Sequence, residues 1–314
     1  MNDNKNILVV GSLGLVGSSL MRILKNSNKV GKLVGSNRND TDLFSFDETK
    51  KLIENTSPDI LIIAAAKVGG IHANNKLRAE FLLENLKINT NILEACMRYP
   101  EIKIINLGSS CIYPLDATNP IKEESFMEGK LEPTNSPYAM AKLTAIEIGR
   151  SLNLQFGHRV INLMPTNLYG PNDYFSEEYS HVIPGLISRM DKAKRERKNS
   201  FKIWGSGEPL REFLYVDDLS NAIDFLIDKD QDVDLINVGS GEEISIKDLA
   251  TKIQKIIKFE GELEFDNSKP DGNPRKLLDS SKINNMGWEH SVGLDEGLKI
   301  TYNWFLENFE NLKR

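Results

Sequence analysis

Residues 7–20 read ILVVGSLGLVGSSL: four apolar residues, then Gly11, Gly14 and Gly17 at three-residue spacing, then an amphipathic run. A buried strand that passes through a glycine turn straight into a helix is the opening unit of a nucleotide-binding α/β sheet. The first glycine permits a tight turn, the second lets backbone approach a pyrophosphate, and the third lets helix and sheet pack closely. The helix start adds unpaired N–H groups and a positive dipole. Gly11, Ser12, Leu13, Gly14, Leu15, Val16 and Gly17 are therefore the candidate phosphate cradle.

The pattern repeats downstream. Short apolar runs at 32–35, 60–64, 102–107 and 160–164 alternate with helical patterns at 47–55, 73–99 and 137–156. That alternation predicts an α/β protein whose parallel sheet carries helices on both faces. After Pro165 the elements become shorter and mixed: FKIW at 201–204, a helix over 216–228, LINVG at 235–239, a helix over 245–258 and ELEF at 262–265. The expected architecture is a doubly wound Rossmann domain over 1–165 and a smaller mixed α/β lobe over 166–314, some of whose segments return to the first.

A chain of 314 residues, 40% hydrophobic, can bury such a core. Its net charge of -6 argues against nucleic acid or an anionic membrane as main partner. No apolar run approaches the roughly 20 residues of a membrane span, and no signal-peptide pattern precedes the first strand. Cys96 and Cys111 are the only cysteines, which fits a cytoplasmic protein without disulfides. His72, His158, His181 and His290 do not cluster with them in sequence, so no metal site is expected.

The second strand ends in VGSNRND, with no acid where NAD sites place one for the ribose. Asp40 is the first acid, and Arg38 is available for a 2′-phosphate, which points to NADP(H). Further on, SPYAMAK sets Tyr138 and Lys142 four apart on one helix face. An ammonium favours the phenolate of a nearby tyrosine and can hold a nicotinamide ribose. Ser109, at the end of the fourth strand, is suited to donate to a carbonyl oxygen under reduction.

The glycine turn, Ser109, Tyr138 and Lys142 together resemble the extended short-chain dehydrogenase/reductases. AAAKVGGI at 64–71, GSSCIYP at 108–114, EPTNSPYAMAK at 132–142, MPTNLYGPND at 164–173, SHVIP at 180–184, WGSGEPLREFLYVDD at 204–218 and SKPDGNPRKLLD at 268–279 narrow the resemblance. They are similar to the GDP-L-fucose synthase family, over nearly the whole chain. That resemblance implies 3,5-epimerisation of GDP-4-keto-6-deoxy-D-mannose followed by NADPH-dependent reduction at C4. It implies Cys111 and His181 as proton carriers at C3 and C5, since a thiol and an imidazole both exchange protons near neutrality. It assigns Pro165, Thr166, Asn167, Leu168, Lys142 and His181 to the cofactor, and Arg189, Trp204, Arg211 and Asp271 to the GDP-sugar. One departure is Leu13, where the family often has a basic residue, so coenzyme choice rests on Arg38 and the missing acid. Superfamily members commonly dimerise through the helices flanking the fourth strand, here about 75–99 and 137–156. Ile88, Ile92, Ala95 and Ala145 belong either to that face or to the core. Two alternatives remain: a C4-reductase for a related GDP-4-keto heptose or 3,6-dideoxyhexose, and a non-catalytic NADP sensor. A 4,6-dehydratase would put an acid pair near position 111, where this chain has Ser110-Cys111.

Overall fold

The computed structural model describes residues 4–229, 234–268 and 271–312. Lys269 and Pro270 of the SKPDGNPRKLLD motif lie outside the described residues. In chain order the first half contains β1 (Lys5–Val10), α1 (Leu15–Leu24), β2 (Val30–Ser36), α2 (Phe46–Thr56), β3 (Ile60–Ile63), α3 (Ile71–Lys76), α4 (Arg78–Cys96), β4 (Lys103–Leu107), α5 (Ser136–Phe156) and β5 (Arg159–Pro165). The second half contains β6 (Asn167–Tyr169), α6 (Val182–Arg195), β7 (Ser200–Trp204), β8 (Leu210–Tyr215), α7 (Val216–Ile227), β9 (Leu235–Val238) and β10 (Glu243–Ser245). It closes with α8 (Ile246–Ile257), β11 (Glu262–Asp266), β12 (Arg275–Lys276), α9 (Ser281–Asn285) and α10 (Leu294–Leu312).

The central sheet has the order β2-β1-β3-β4-β5-β9, with every pairing parallel. β3 and β4 are buried at every position, as strands covered on both faces must be. The order reverses between β1 and β3, and ligands of open α/β sheets bind at the carboxyl ends of strands at such a switch point. The Gly11–Gly17 turn, Gly108-Ser109 and Pro165-Thr166 all lie at those carboxyl ends.

Beyond Pro165 the chain builds two smaller sheets, β10-β8-β12 with β6 added on β8, and β11-β7. Segments of this half also return to the central sheet. β9 is its edge strand, and Leu219, Ile223, Leu226 and Trp288 pack in one cluster with Leu20, Leu24, Ile105 and Leu163. Among the described residues no helix is long and apolar enough to cross a membrane.

Three features depart from the sequence expectation. The helical period over 73–99 is two helices, because Leu77 leaves helical geometry at φ -109°, ψ 44°. Buried Asn74 holds the short first helix to the glycine loop, its Nδ2 donating to the Gly69 carbonyl at 2.7 Å and the Gly70 carbonyl at 3.1 Å. The basic run at 192–198 reads as a helix end, but the start of α6 is masked by Pro184 and Gly185 in its first turn, a place where helices tolerate proline. α10 likewise had no counterpart in the sequence reading. Ile88, Ile92, Ala95 and Ala145 are core residues, packed in one cluster with Val10, Leu61 and Ile104.

Candidate active site

The glycine turn is fixed from below. Gly11 N and Ser12 N donate to the Ser36 carbonyl at 2.8 and 3.0 Å, tying the end of β1 to the end of β2. Gly11 has φ +85°, and a Cβ there would come within 2.6 Å of the Ala65 nitrogen. A Cβ on Gly17 would overlap the Gly11 carbonyl. A Cβ on Gly14 would meet only the Gly11 oxygen, at 3.6 Å. Two glycines thus serve the scaffold, while the third faces open space. Gly14 is also the N-cap of α1 and offers no side-chain cap, so the helix's first N–H groups are left for a ligand. Ser12 is buried, Leu15 and Val16 are half-buried, and Leu13 is exposed.

At the end of β2, Asp40 turns back on its own loop. Its Oδ2 accepts from Asn37 N at 3.0 Å and from Asn37 Nδ2 at 2.5 Å. The first acid after the strand is therefore engaged within the turn, and the exposed basic side chain there is Arg38. This geometry fits a phosphorylated ribose better than a free 2′-hydroxyl. On the other side, Thr166 Oγ1 and Asn167 Nδ2 both donate to the Glu212 carbonyl, at 3.2 and 2.8 Å. That pins the Pro165–Leu168 segment to β8.

β4 delivers Ser109 and Cys111, and the first two turns of α5 deliver Tyr138 and Lys142. Ser109 is the N-cap of a one-turn 3₁₀ helix, Ser110–Ile112, and its Oγ accepts from Cys111 N at 3.2 Å. Ser109 and Cys111 both lie near enough to the Tyr138 phenol to act on its proton, in opposite directions. Serine, thiol and phenol thus meet at one point. Burial pushes the Tyr138 phenol well above its usual value, charge on Cys111 adds to this, and the neighbouring Ser109 hydroxyl opposes it. The direct lysine–phenolate pairing expected from the sequence is replaced by another arrangement. Lys142 Nζ donates to the Leu107 carbonyl at 2.6 Å and lies 5.9 Å from the Tyr138 ring centroid. Burial lowers this ammonium to about 8.

His181 stands at the N-terminus of α6, with part of its surface open to solvent. Enough protein surrounds the ring that desolvation pushes it below the ordinary imidazole value.

The basic and aromatic candidates converge as well. The Arg189 guanidinium lies 4.6 Å from the Trp204 ring centroid, and Trp204 is exposed rather than part of the core. Such a stacked pair presents a planar cation and a flat apolar surface together. Asp271 Oδ1 accepts from Ser206 N at 2.7 Å and Oδ2 from Ser206 Oγ at 2.8 Å, so this carboxylate fixes the turn that carries Trp204. Arg211 feels charge on both Cys111 and Asp271, and burial lowers it.

Two residues escaped the sequence reading. Glu212, fully buried beside Arg211, accepts from Gly241 N at 2.8 Å and Leu278 N at 3.1 Å, joining two loops to β8. Lys276 donates to the Cys111 sulfur at 3.6 Å. Both sit in short strands with no telling period, and only the reversal of polarity beside apolar neighbours marks them.

Comparison with known proteins agrees with this geometry. Residues 7–239 match the model of the NAD dependent epimerase/dehydratase family. A probable GDP-L-fucose synthase 1 from Oryza sativa subsp. japonica is 45% identical over 98% of this chain and 94% of its own. The structure resembles that of a GDP-L-fucose synthetase from Naegleria fowleri bound to NADP, at a TM-score of 0.89, 32% identity, and coverage of 98% and 96%. It also resembles a GDP-6-OMe-4-keto-L-xylo-heptose reductase from C. jejuni, at a TM-score of 0.90, 30% identity, and coverage of 98% and 99%. The chain belongs to the NAD dependent epimerase/dehydratase family and groups there with the GDP-L-fucose synthases.

Proposed function

We propose that this protein converts GDP-4-keto-6-deoxy-D-mannose to GDP-L-fucose, first as a 3,5-epimerase and then as an NADPH-dependent 4-reductase. The observation that carries the reading is the thiol of Cys111 set beside the Ser109–Tyr138 pair. A plain reductase needs only the serine, tyrosine and lysine. An epimerase also needs a proton carrier within reach of the carbons next to the ketone.

The chemistry follows from the C4 ketone. Its oxygen accepts from Ser109 and Tyr138, which draw electron density from C4 and acidify the hydrogens on C3 and C5. Removal of either proton sends its electron pair to that oxygen, and the two hydroxyls stabilise the enolate. Cys111 and His181 take a proton from one face and return one to the other, inverting the carbon. When bound, NADPH supplies the hydride for C4. Tyr138, held protonated by burial, gives its proton to the oxygen as the alcohol forms. One oxyanion site then serves both half-reactions.

The cofactor is held by the Gly11–Gly17 turn, by Arg38 at the 2′-phosphate, by the Pro165–Leu168 segment and by Lys142. Arg189, Trp204 and Arg211 take the GDP diphosphate and base, and Asp271 holds the Trp204 turn. The division of labour is a cofactor domain over 1–165 and a substrate lobe drawn mainly from 166–314. We place the protein in the cytoplasm, as a homodimer formed through α4 and α5. A sedimentation-equilibrium mass of one chain at micromolar concentration would remove the dimer.

The test is incubation with GDP-4-keto-6-deoxy-D-mannose and NADPH in D2O, beside a Cys111→Ser variant. The expected product is GDP-L-fucose carrying deuterium at C3 and C5, with exchange lost in the variant. Consumption of NADPH without deuterium at carbon would reduce the protein to a 4-reductase. The likeness to the heptose reductase favours that second reading, with a GDP-4-keto heptose as substrate.

A further inference from the structure

The strand that carries Lys276 is two residues long, yet its setting is strongly determined. It runs parallel to β8 with Arg275 opposite Leu210 and Lys276 opposite Arg211. Leu210 N donates to the Pro274 carbonyl at 2.9 Å on one side. On the other, Leu277 N donates to Asn119 Oδ1 at 2.7 Å and Leu278 N to the buried Glu212 carboxylate at 3.1 Å. Successive side chains of a strand point to opposite faces. Arg275 goes outward to a forked pair with Glu243, its Nε bonding Oε1 at 2.8 Å. Lys276 goes the other way, half-buried, and its Nζ donates to Cys111 Sγ at 3.6 Å.

Two cations side by side on paired strands repel one another unless an anion lies between or beside them. Among the described residues, the charged and titratable groups set against the thiol are Lys276 from β12, Arg211 from β8 and Tyr138 from α5. The turn bearing the thiol, Ser110–Ile112, brings none. Asp271 acts on Arg211, and both its oxygens already accept from Ser206. The thiol is therefore the acidic group that the ammonium engages.

We propose that Lys276 is a positioning residue for Cys111: its ammonium holds the side chain as a thiolate, aimed at the carbons beside the substrate ketone. The sulfur then accepts the C3 or C5 proton, the C–H pair moves to the C4 oxygen, and the opposite face is protonated by the imidazolium form of His181, which is left as neutral imidazole. Exchange of both carriers with water resets them. The same negative charge keeps Tyr138 protonated, the form it needs both to stabilise the enolate and to donate when hydride arrives. A base and an acid a few ångströms apart are thus kept in opposite protonation states, with the ammonium compensating the charge. This role rests on the epimerase reading for its purpose, but its test needs no sugar.

The experiment measures alkylation of Cys111 by iodoacetamide, resolved by peptide mass spectrometry; Cys96 is fully buried and does not compete. The ratio of the rate at pH 7 to that at pH 9 cancels accessibility. In the wild type that ratio should exceed a cysteine peptide's by about tenfold, the effect of a neighbouring cation on a thiol. Lys276→Gln should bring it down to the peptide's value, and Lys276→Arg should restore most of it. Arg275→Gln, one residue away on the opposite face, should leave it unchanged. A wild-type ratio equal to the peptide's overturns the proposal without any variant, so poor folding of Lys276→Gln cannot protect it. Equal ratios in wild type and Lys276→Gln overturn it too, and a raised substrate KM beside them would make Lys276 a diphosphate ligand instead. A high wild-type ratio that depends on Lys276, with no deuterium entering the sugar, would sustain the ion pair and sink the epimerase reading.

Discussion

Replacing Gly14 or Gly17 by alanine adds one methyl group to the same turn, but the two substitutions should fail differently. Gly14 has φ -72° and ψ 175°, a conformation alanine adopts freely, and its Cβ would meet only the Gly11 oxygen at 3.6 Å. The folding penalty is the weaker N-cap preference of alanine, under about 1 kcal/mol. The new methyl would stand where a diphosphate approaches the start of α1, so NADPH binding should weaken tenfold or more, about 1.4 kcal/mol. At Gly17 the Cβ would overlap the Gly11 carbonyl and lie 2.8 Å from Ser12 Cα, both backbone atoms that cannot rotate away. Alanine gains about 0.5–1 kcal/mol from helix propensity. Overpacking against backbone costs about 1–3 kcal/mol or more, so the net effect is destabilising. Urea unfolding without ligand and NADPH titration by fluorescence separate the two quantities. Gly14→Ala should unfold like the wild type and bind poorly; Gly17→Ala should unfold at lower urea. If Gly14→Ala bound NADPH normally, or Gly17→Ala were as stable as the wild type, the division between ligand and scaffold glycines would be wrong.

Lys142→Met should abolish C4 reduction yet stabilise the fold at pH 7. Holding the ammonium at about 8 instead of 10.5 costs up to about 3 kcal/mol, partly offset by its bond to the Leu107 carbonyl, leaving a gain of about 1–2 kcal/mol. Because the folded state releases this proton first, wild-type stability rises relative to the variant between pH 8 and 10.5, and urea midpoints across that range should converge. Asp173 behaves in the opposite sense. Burial raises its carboxyl from 3.8 to about 7, and its Oδ2 is buried with no hydrogen-bond partner among the described residues. Its contribution is fully present below pH 4 and is lost as pH rises through 7. Asp173→Asn should therefore stabilise by about 1–3 kcal/mol at pH 8 and by little at pH 4, read from thermal melts at the two pH values.

Much of this molecule is legible in its sequence because the legible parts are local. The strand, glycine turn and helix at 7–20 are specified by residues that touch one another, and so is the Tyr138–Lys142 spacing. Ser109 needs only the end of β4 to be recognised, whereas Cys111 needs the family resemblance as well. What the sequence hides is long-range. Lys276 lies 165 residues from Cys111, and Glu212 lies 66 from Leu278; both meet their partners only through β8 pairing. No period announces a two-residue strand, and Pro184 and Gly185 conceal where α6 begins although a first turn accepts proline. Asp271 shows the limit of a family resemblance: the resemblance assigns it to the GDP-sugar, while the structure has both oxygens fixing the turn of Trp204. Tyr138 and Lys142 show the same limit for spacing. Four residues on one helix face set them near each other, but the ammonium turns to the Leu107 carbonyl, and the phenol takes its proton balance from Ser109 and Cys111. Spacing identifies which groups share a site; which of them holds the proton follows from burial and from neighbours that arrive from distant strands.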